Sequence, residues 1–201
     1  MAIISVIISY FLGNISAAII ISKLVKGEDI RTKGSGNPGT TNMLRVYGIK
    51  LAALTLLIDV LKGVIAVKLG ALYGVSYICA AAVVIGHMWP LCFGFKGGKG
   101  IATGLGVLLA INPLLGLYCL IVAAVFFVTT RYVSLGSLFA AAAMPVLSYF
   151  MERGFTPYAL LLCACVFYKH RENIKRLLSG TESKVGQHST ESDQDAEEIK
   201  K

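Results

Sequence analysis

Three polar segments in this 201-residue chain carry residue types suited to gripping phosphate. The first is Gly34-Ser35-Gly36-Asn37-Pro38-Gly39-Thr40-Thr41-Asn42, with Arg45 one helical turn beyond. A glycine-rich loop opening into a helix can turn several backbone N–H groups onto one anion, helped by hydroxyls and the positive helix end. The run formally fits G-x-G-x-x-G, and Asp59 lies twenty residues past Gly39. A dinucleotide fold is still excluded, because no strand precedes the loop and an apolar run follows it. The second segment is Lys96-Gly97-Gly98-Lys99-Gly100, preceded by Gly86-His87 and leading directly into apolar residues. Its glycines admit a phosphate to the backbone, its lysines add charge, and the following helix adds its dipole. It is not a Walker A loop, since Gly follows Lys99 and no Gly lies five residues before the Gly98-Lys99 pair. The third runs from Lys169 to Lys184 and places His170 and Asn173 at i, i+3 on one helix face. Taken alone, it reads more simply as a basic helix at anionic headgroups.

Further polar residues sit inside apolar surroundings. Asp59 and Lys62, also i, i+3, read as a structural pair, with the coupling site of a transporter as the alternative. Ser134 and Ser137 flank Gly136 and suit either helix packing or hydroxyl donation to a phosphate. Five cysteines lie in or beside apolar runs without metal-ligand spacing, so they read as buried small hydrophobes and no metal site is predicted.

These segments need scaffolding, and the composition says what kind. Hydrophobic residues make up 56% and charged residues 15% of the chain, with a mean hydropathy of +0.72. Soluble domains carry about 45–50% and about 25%. An all-α polytopic membrane protein follows, because helices satisfy their own backbone in lipid and no barrel alternation is present. The net charge of +8 reads as an orientation signal, not as a nucleic-acid surface.

Spans are expected at about 2–24, 49–72, 75–93, 101–111, 113–128, 132–150 and 156–167. The break at Asn112-Pro113 follows from the bias of a pre-proline residue away from helix. About seven transmembrane helices result, two of them short, with the N-terminus outside and the C-terminus cytoplasmic; five spans would give the same sidedness. Residues 1–178 read as the membrane domain and 179–201 as a polar, disordered cytoplasmic tail. Gly100 and Gly104 fit small-xxx-small helix packing.

Together the three segments resemble the signature motifs of the bacterial acyl-phosphate:glycerol-3-phosphate acyltransferases, the PlsY type. The Ser-Gly-Asn-Pro-Gly loop, the Gly-His…Phe-Lys-Gly-Gly-Lys-Gly segment and the Lys-His-Arg…Asn-Ile segment occur here in order, and the likeness covers about residues 1–184. It implies a multi-pass enzyme of the bacterial plasma membrane that moves a fatty acyl group from acyl phosphate to the 1-hydroxyl of glycerol 3-phosphate. The products are lysophosphatidate and inorganic phosphate, in phospholipid biosynthesis. No cofactor is implied. Partners are the two substrates, membrane lipid and the enzyme that supplies acyl phosphate. By resemblance Ser35, Arg45, Lys99, His170 and Asn173 are catalytic. Gly34, Gly36, Asn37, Gly39, Thr41, Asn42, His87, Lys96, Gly97, Gly98, Gly100, Ser134 and Ser137 bind substrate, and Glu182 fixes the third segment. His87, His170 and the donor's own phosphate oxygen all remain open as proton acceptor. The rival function is a secondary transporter of an organic phosphate.

Overall fold

The computed structural model describes residues 1–184. The tail from residue 185 onward, expected to be disordered, lies outside the described residues. Among the described residues there are ten α-helices. The first two, α1 (Ala2–Asn14) and α2 (Ala17–Lys26), are the halves of one apolar run, bent by 41°. Asn14 makes the bend. Its amide donates back to the Tyr10 carbonyl at 2.8 Å, its Oδ1 accepts from Cys92 N at 3.2 Å, and Ile15 and Ser16 run extended. After a polar loop come α3 (Thr40–Tyr47) and α4 (Ile49–Ala71). Then follow α5 (Ser76–Met88), α6 (Ile101–Ile111) and α7 (Pro113–Thr130). Asn112 separates the last two as expected, because its Oδ1 accepts from Leu114 N and Leu115 N and restarts the helix. The chain continues through α8 (Val133–Met151), α9 (Thr156–Lys169) and α10 (Arg171–Leu178).

Helices close on one another through small residues, which lets backbones approach where lipid offers no hydrophobic drive. A methyl at Gly86 would strike the Tyr10 carbonyl and lie 3.2 Å from Gly13 Cα, so α1 and α5 touch backbone to backbone. Gly63 meets the backbone of α6 and Gly106 that of α4 in the same way. The expected Gly100–Gly104 stripe does not pack a helix, since Gly104 faces open space.

The expectation of about seven transmembrane helices is wrong. Among the described residues three helical stretches are long and apolar enough to cross a membrane, at Ser76–Phe93 (α5 with the 3-10 turn Leu91–Phe93 that extends it), Pro113–Thr130 and Val133–Met151. The bent α1–α2 pair makes four at most. Hydropathy overcounted for two physical reasons. A crossing needs about 20 residues, while α6 has 11 and α9 has 14. In contrast α4 has 23 residues but carries Lys50, Asp59, Lys62 and Lys68, and such charge is costly against lipid. Asp59 and Lys62 are accordingly buried inside the protein.

Candidate active site

The first loop is built by its own side chains. Arg31 clasps Asp29 through two nitrogens at 3.0 and 2.7 Å, which holds the Asp29 carboxyl far below the usual carboxylate range. The same guanidinium donates to the Phe93 carbonyl at 3.0 Å and so ties the first segment to the second. Asn42, only 1% exposed, accepts from Ser35 N at 2.9 Å and donates to the Lys33 carbonyl at 3.0 Å. Its amide is thus spent on the loop, with Gly34 packed against it at positive φ. Ser35, Gly36, Asn37 and Pro38 are left lining an open cavity of about 990 Å³.

The second segment crosses the same cavity with Lys96, Gly97 and Lys99. Here glycine is demanded by space. A methyl on Gly97 would hit the carbonyls of His87 and Met88, and one on Gly98 would hit the His87 ring and sit 2.9 Å from the Pro38 carbonyl. Gly100, at φ 80°, ends the turn against Met88 and starts α6.

The third segment supplies Lys169, Arg171, Glu172, Asn173 and Arg176 to the lining. Lys99 Nζ donates to Asn173 Oδ1, and Asn173 Nδ2 donates to Glu182 Oε1 at 2.6 Å. Ser134 donates to the same oxygen at 2.6 Å, while Arg176 Nε holds Oε2 at 2.8 Å. Glu182 lies four residues past the boundary drawn at residue 178 and folds back to lock Asn173. Burial resists its ionisation, but the donors from Ser134, Asn173 and Arg176 outweigh that and keep the carboxyl below its ordinary range.

Two titratable groups at this end are strongly perturbed. Burial, with Arg176, Arg45 and Lys169 nearby and Glu182 opposing them, lowers Lys99 to about 8. Burial and the Lys99 charge push His170 down to about 4, so its ring is neutral near pH 7. His170 Nδ1 lies 2.9 Å from the Val166 carbonyl, which can only accept; Nδ1 therefore carries the proton and Nε2 keeps its lone pair.

The remaining expected residues divide by position. Arg45 is exposed but close enough to act on Lys99 electrostatically. Gly39 caps α3 in extended backbone, and Thr41 is half-buried in its first turn. Buried His87 lies behind the glycine turn, outside the cavity lining. Ser137 donates to the Val133 carbonyl at 2.9 Å and lines a second, apolar cavity together with Gly100. That cavity descends past Ala140, Ala141 and Met144 to Leu108, Cys119 and Leu162. Sequence reasoning did not single out Arg31, Lys169 or Arg176. Arg176 was findable as the next residue of the Asn173 face at i+3, whereas Arg31 carries no local signal.

The sequence profile of glycerol-3-phosphate acyltransferase matches residues 3–180. A glycerol-3-phosphate acyltransferase of Clostridioides difficile is 47% identical over 195 residues, covering 92% of this chain and 96% of that protein. A crystal structure of PlsY (YgiH), an integral membrane glycerol 3-phosphate acyltransferase, in its glycerol 3-phosphate form superposes with a TM-score of 0.86 at 40% identity. It covers 92% of this chain and 96% of the other. The lysophosphatidic acid form of PlsY gives 0.82 at 38% identity, over 92% and 95%. With this profile, identity and superposition over nearly its whole described length, the chain belongs to the PlsY-type glycerol-3-phosphate acyltransferase family.

Proposed function

We propose that the chain, a multi-pass integral membrane protein, acylates the 1-hydroxyl of glycerol 3-phosphate with acyl phosphate as donor, and that the cavity where its three polar segments meet is the reaction site. The observation that carries this reading is the Lys99–Asn173 contact beside an apolar cavity that starts at the next residue, Gly100. A charged anchor for phosphate and a dry slot for an alkyl chain thereby adjoin across one residue. Relatives solved in glycerol 3-phosphate and lysophosphatidic acid forms support the same substrate and product here.

The chemistry asks little covalent work of the protein. Acyl phosphate is a mixed anhydride with an already activated carbonyl, so positioning and charge neutralisation dominate. Lys96, Lys99 and the Gly97–Gly98 amides hold glycerol 3-phosphate. Ser35 and Arg45 meet the donor phosphate. His170 Nε2 accepts a hydrogen bond from the glycerol hydroxyl and aligns it. The hydroxyl oxygen bonds to the acyl carbon, the carbon–oxygen bond to phosphate breaks, and phosphate leaves with the electron pair and ultimately the proton. Arg176 and Glu182 hold Asn173, which in turn holds Lys99. Residues 1–178 form the membrane domain and Glu182 clamps its last segment.

Purified protein in detergent, given labelled glycerol 3-phosphate and palmitoyl phosphate, should release lysophosphatidate and inorganic phosphate in equal amounts. Palmitoyl-CoA in place of palmitoyl phosphate should give no product. Absence of lysophosphatidate with the phosphate donor would refute the reading.

A further inference from the structure

Beneath the glycine turn lies a buried charged group that the reaction scheme above does not use. Lys62 is 3% exposed and Asp59 1%, in the middle of α4. Four acceptor atoms surround the three N–H groups of the Lys62 ammonium: Asp59 Oδ1 at 2.7 Å, the Ile15 carbonyl and His87 Nδ1 at 2.8 Å each, and the Gly13 carbonyl at 3.3 Å. Asp59 Oδ1 is the counter-charge, and it stands 3.6 Å from His87 Nδ1, beyond hydrogen-bond reach. The two carbonyls are those freed by the α1–α2 bend, where Ile15 leaves helical geometry. One lysine therefore joins the broken helix, the acidic residue of α4 and an imidazole on α5.

The consequence falls on His87. As an ammonium neutralised by Asp59, Lys62 has no lone pair to offer, so Nδ1 accepts and the ring proton stands on Nε2. That Nε2 edge is the one under Gly98, where an added methyl would stand 2.3 Å from Nε2 and 2.9 Å from the Pro38 carbonyl of the first loop. His87 also places its own carbonyl beneath Gly97. The second loop thus rests on this residue, with Pro38 of the first loop beside it, and the ring is held from behind.

We propose that Lys62, neutralised by Asp59, is a positioning residue that fixes His87 as the Nε2–H tautomer and thereby holds the Gly97–Gly98 turn in phosphate-binding geometry. The part of this concerning glycerol 3-phosphate rests on the function proposed above; the tautomer does not. Lys62 lies outside the lining of both cavities and reaches the polar one through the loop over His87. Replacing both charges together, as Asp59→Asn with Lys62→Met, avoids a lone buried charge, the costly outcome of a single substitution.

Two measurements test it. In detergent-solubilised protein labelled with 15N at histidine, with His87→Gln used to assign the His87 resonances, the wild type should show a protonated Nε2 and a bare Nδ1. The double variant should lose that single tautomer. A protonated Nδ1 or an imidazolium in the wild type overturns the proposal, whether or not the protein makes lysophosphatidate. In kinetics, the double variant should raise KM for glycerol 3-phosphate roughly ten- to a hundredfold, the range expected from small misplacements, with KM for palmitoyl phosphate little changed. His87→Gln, whose amide N–H reaches the Nε2 position, should keep more of that affinity than His87→Asn, whose amide reaches only Nδ1. An equal change in both KM values, or equal affinity in the two His87 variants, overturns the positioning role.

Discussion

Two cavities adjoin across the Lys99–Gly100 peptide, Lys99 lining one and Gly100 the other, and they differ in almost every property. The upper one is lined by Arg31, Lys96, Lys99, Lys169 and Arg176 and opens to solvent through loops. The lower one is lined by Val84, Leu105, Leu108, Ala141, Met144 and their apolar neighbours, all on helices. Even its one hydroxyl, Ser137, is spent on its own helix. The upper cavity works by charge and the lower by shape. The difference teaches how one short turn can serve an ionic and an aliphatic ligand together: Lys99 faces one side, and Gly100 at φ 80° redirects the chain into the other. A side chain at Gly100 would meet Met88 and Val84, so the join tolerates no bulk.

Breaking the charged side should cost most. Lys99→Ala should lower kcat by roughly 10²–10³-fold, as expected for loss of one preorganised charge donor, and should leave the protein inserted in membranes; initial rates with both substrates check this. Asn173→Ala should fall close behind, since it frees Lys99 and takes one of three side-chain donors from Glu182. Wild-type turnover in either variant would remove the cavity's assigned role.

Filling the shape-selective side should act on one substrate alone. Ala141 is 7% exposed and lines the apolar cavity on α8. Ala141→Phe should raise KM for palmitoyl phosphate about tenfold, since blocking a few methylenes costs about 0.8 kcal/mol each, while KM for glycerol 3-phosphate holds steady. Competition between long and short acyl phosphates would show the preference moving to short chains.

The pH profile probes the charged side again, more gently. Lys99 loses its proton through about pH 8 in the free protein. It is cationic below that value and neutral above, so kcat/KM for glycerol 3-phosphate should decline as pH rises past 8. His170, near 4, stays neutral throughout and should add no limb between pH 6 and 8. The smallest change belongs to Ser137→Ala, expected below twofold in rate because that hydroxyl is already bonded to Val133. Ser134→Ala, which removes one donor from Glu182, should cost visibly more, and the pair of rates separates the two serines.

Much of the site was legible in the chain because its signals are local. Gly-Ser-Gly-Asn-Pro-Gly and Lys-Gly-Gly-Lys-Gly mark turns suited to an anion through steric permissiveness and charge, which are properties of adjacent residues. The Asn112-Pro113 break was legible for the same reason. The Asn14 bend was not, since it depends on Cys92 N, a partner seventy-eight residues away. Span counting failed with it. Hydropathy measures apolar length, yet whether α4 faces lipid depends on where Lys62 finds oxygen ligands.

Sequence alone therefore determined an all-helical membrane chain with two glycine turns and a basic helix suited to phosphate, and the family that carries them. Only the tertiary structure decided which side chains face the cavity and which are consumed in building it. Asn42 and Ser137 have the right chemistry for substrate, but their hydrogen bonds are already committed within the fold. A donor or acceptor can be allotted only once its neighbours in space are fixed, and those neighbours lie far along the chain.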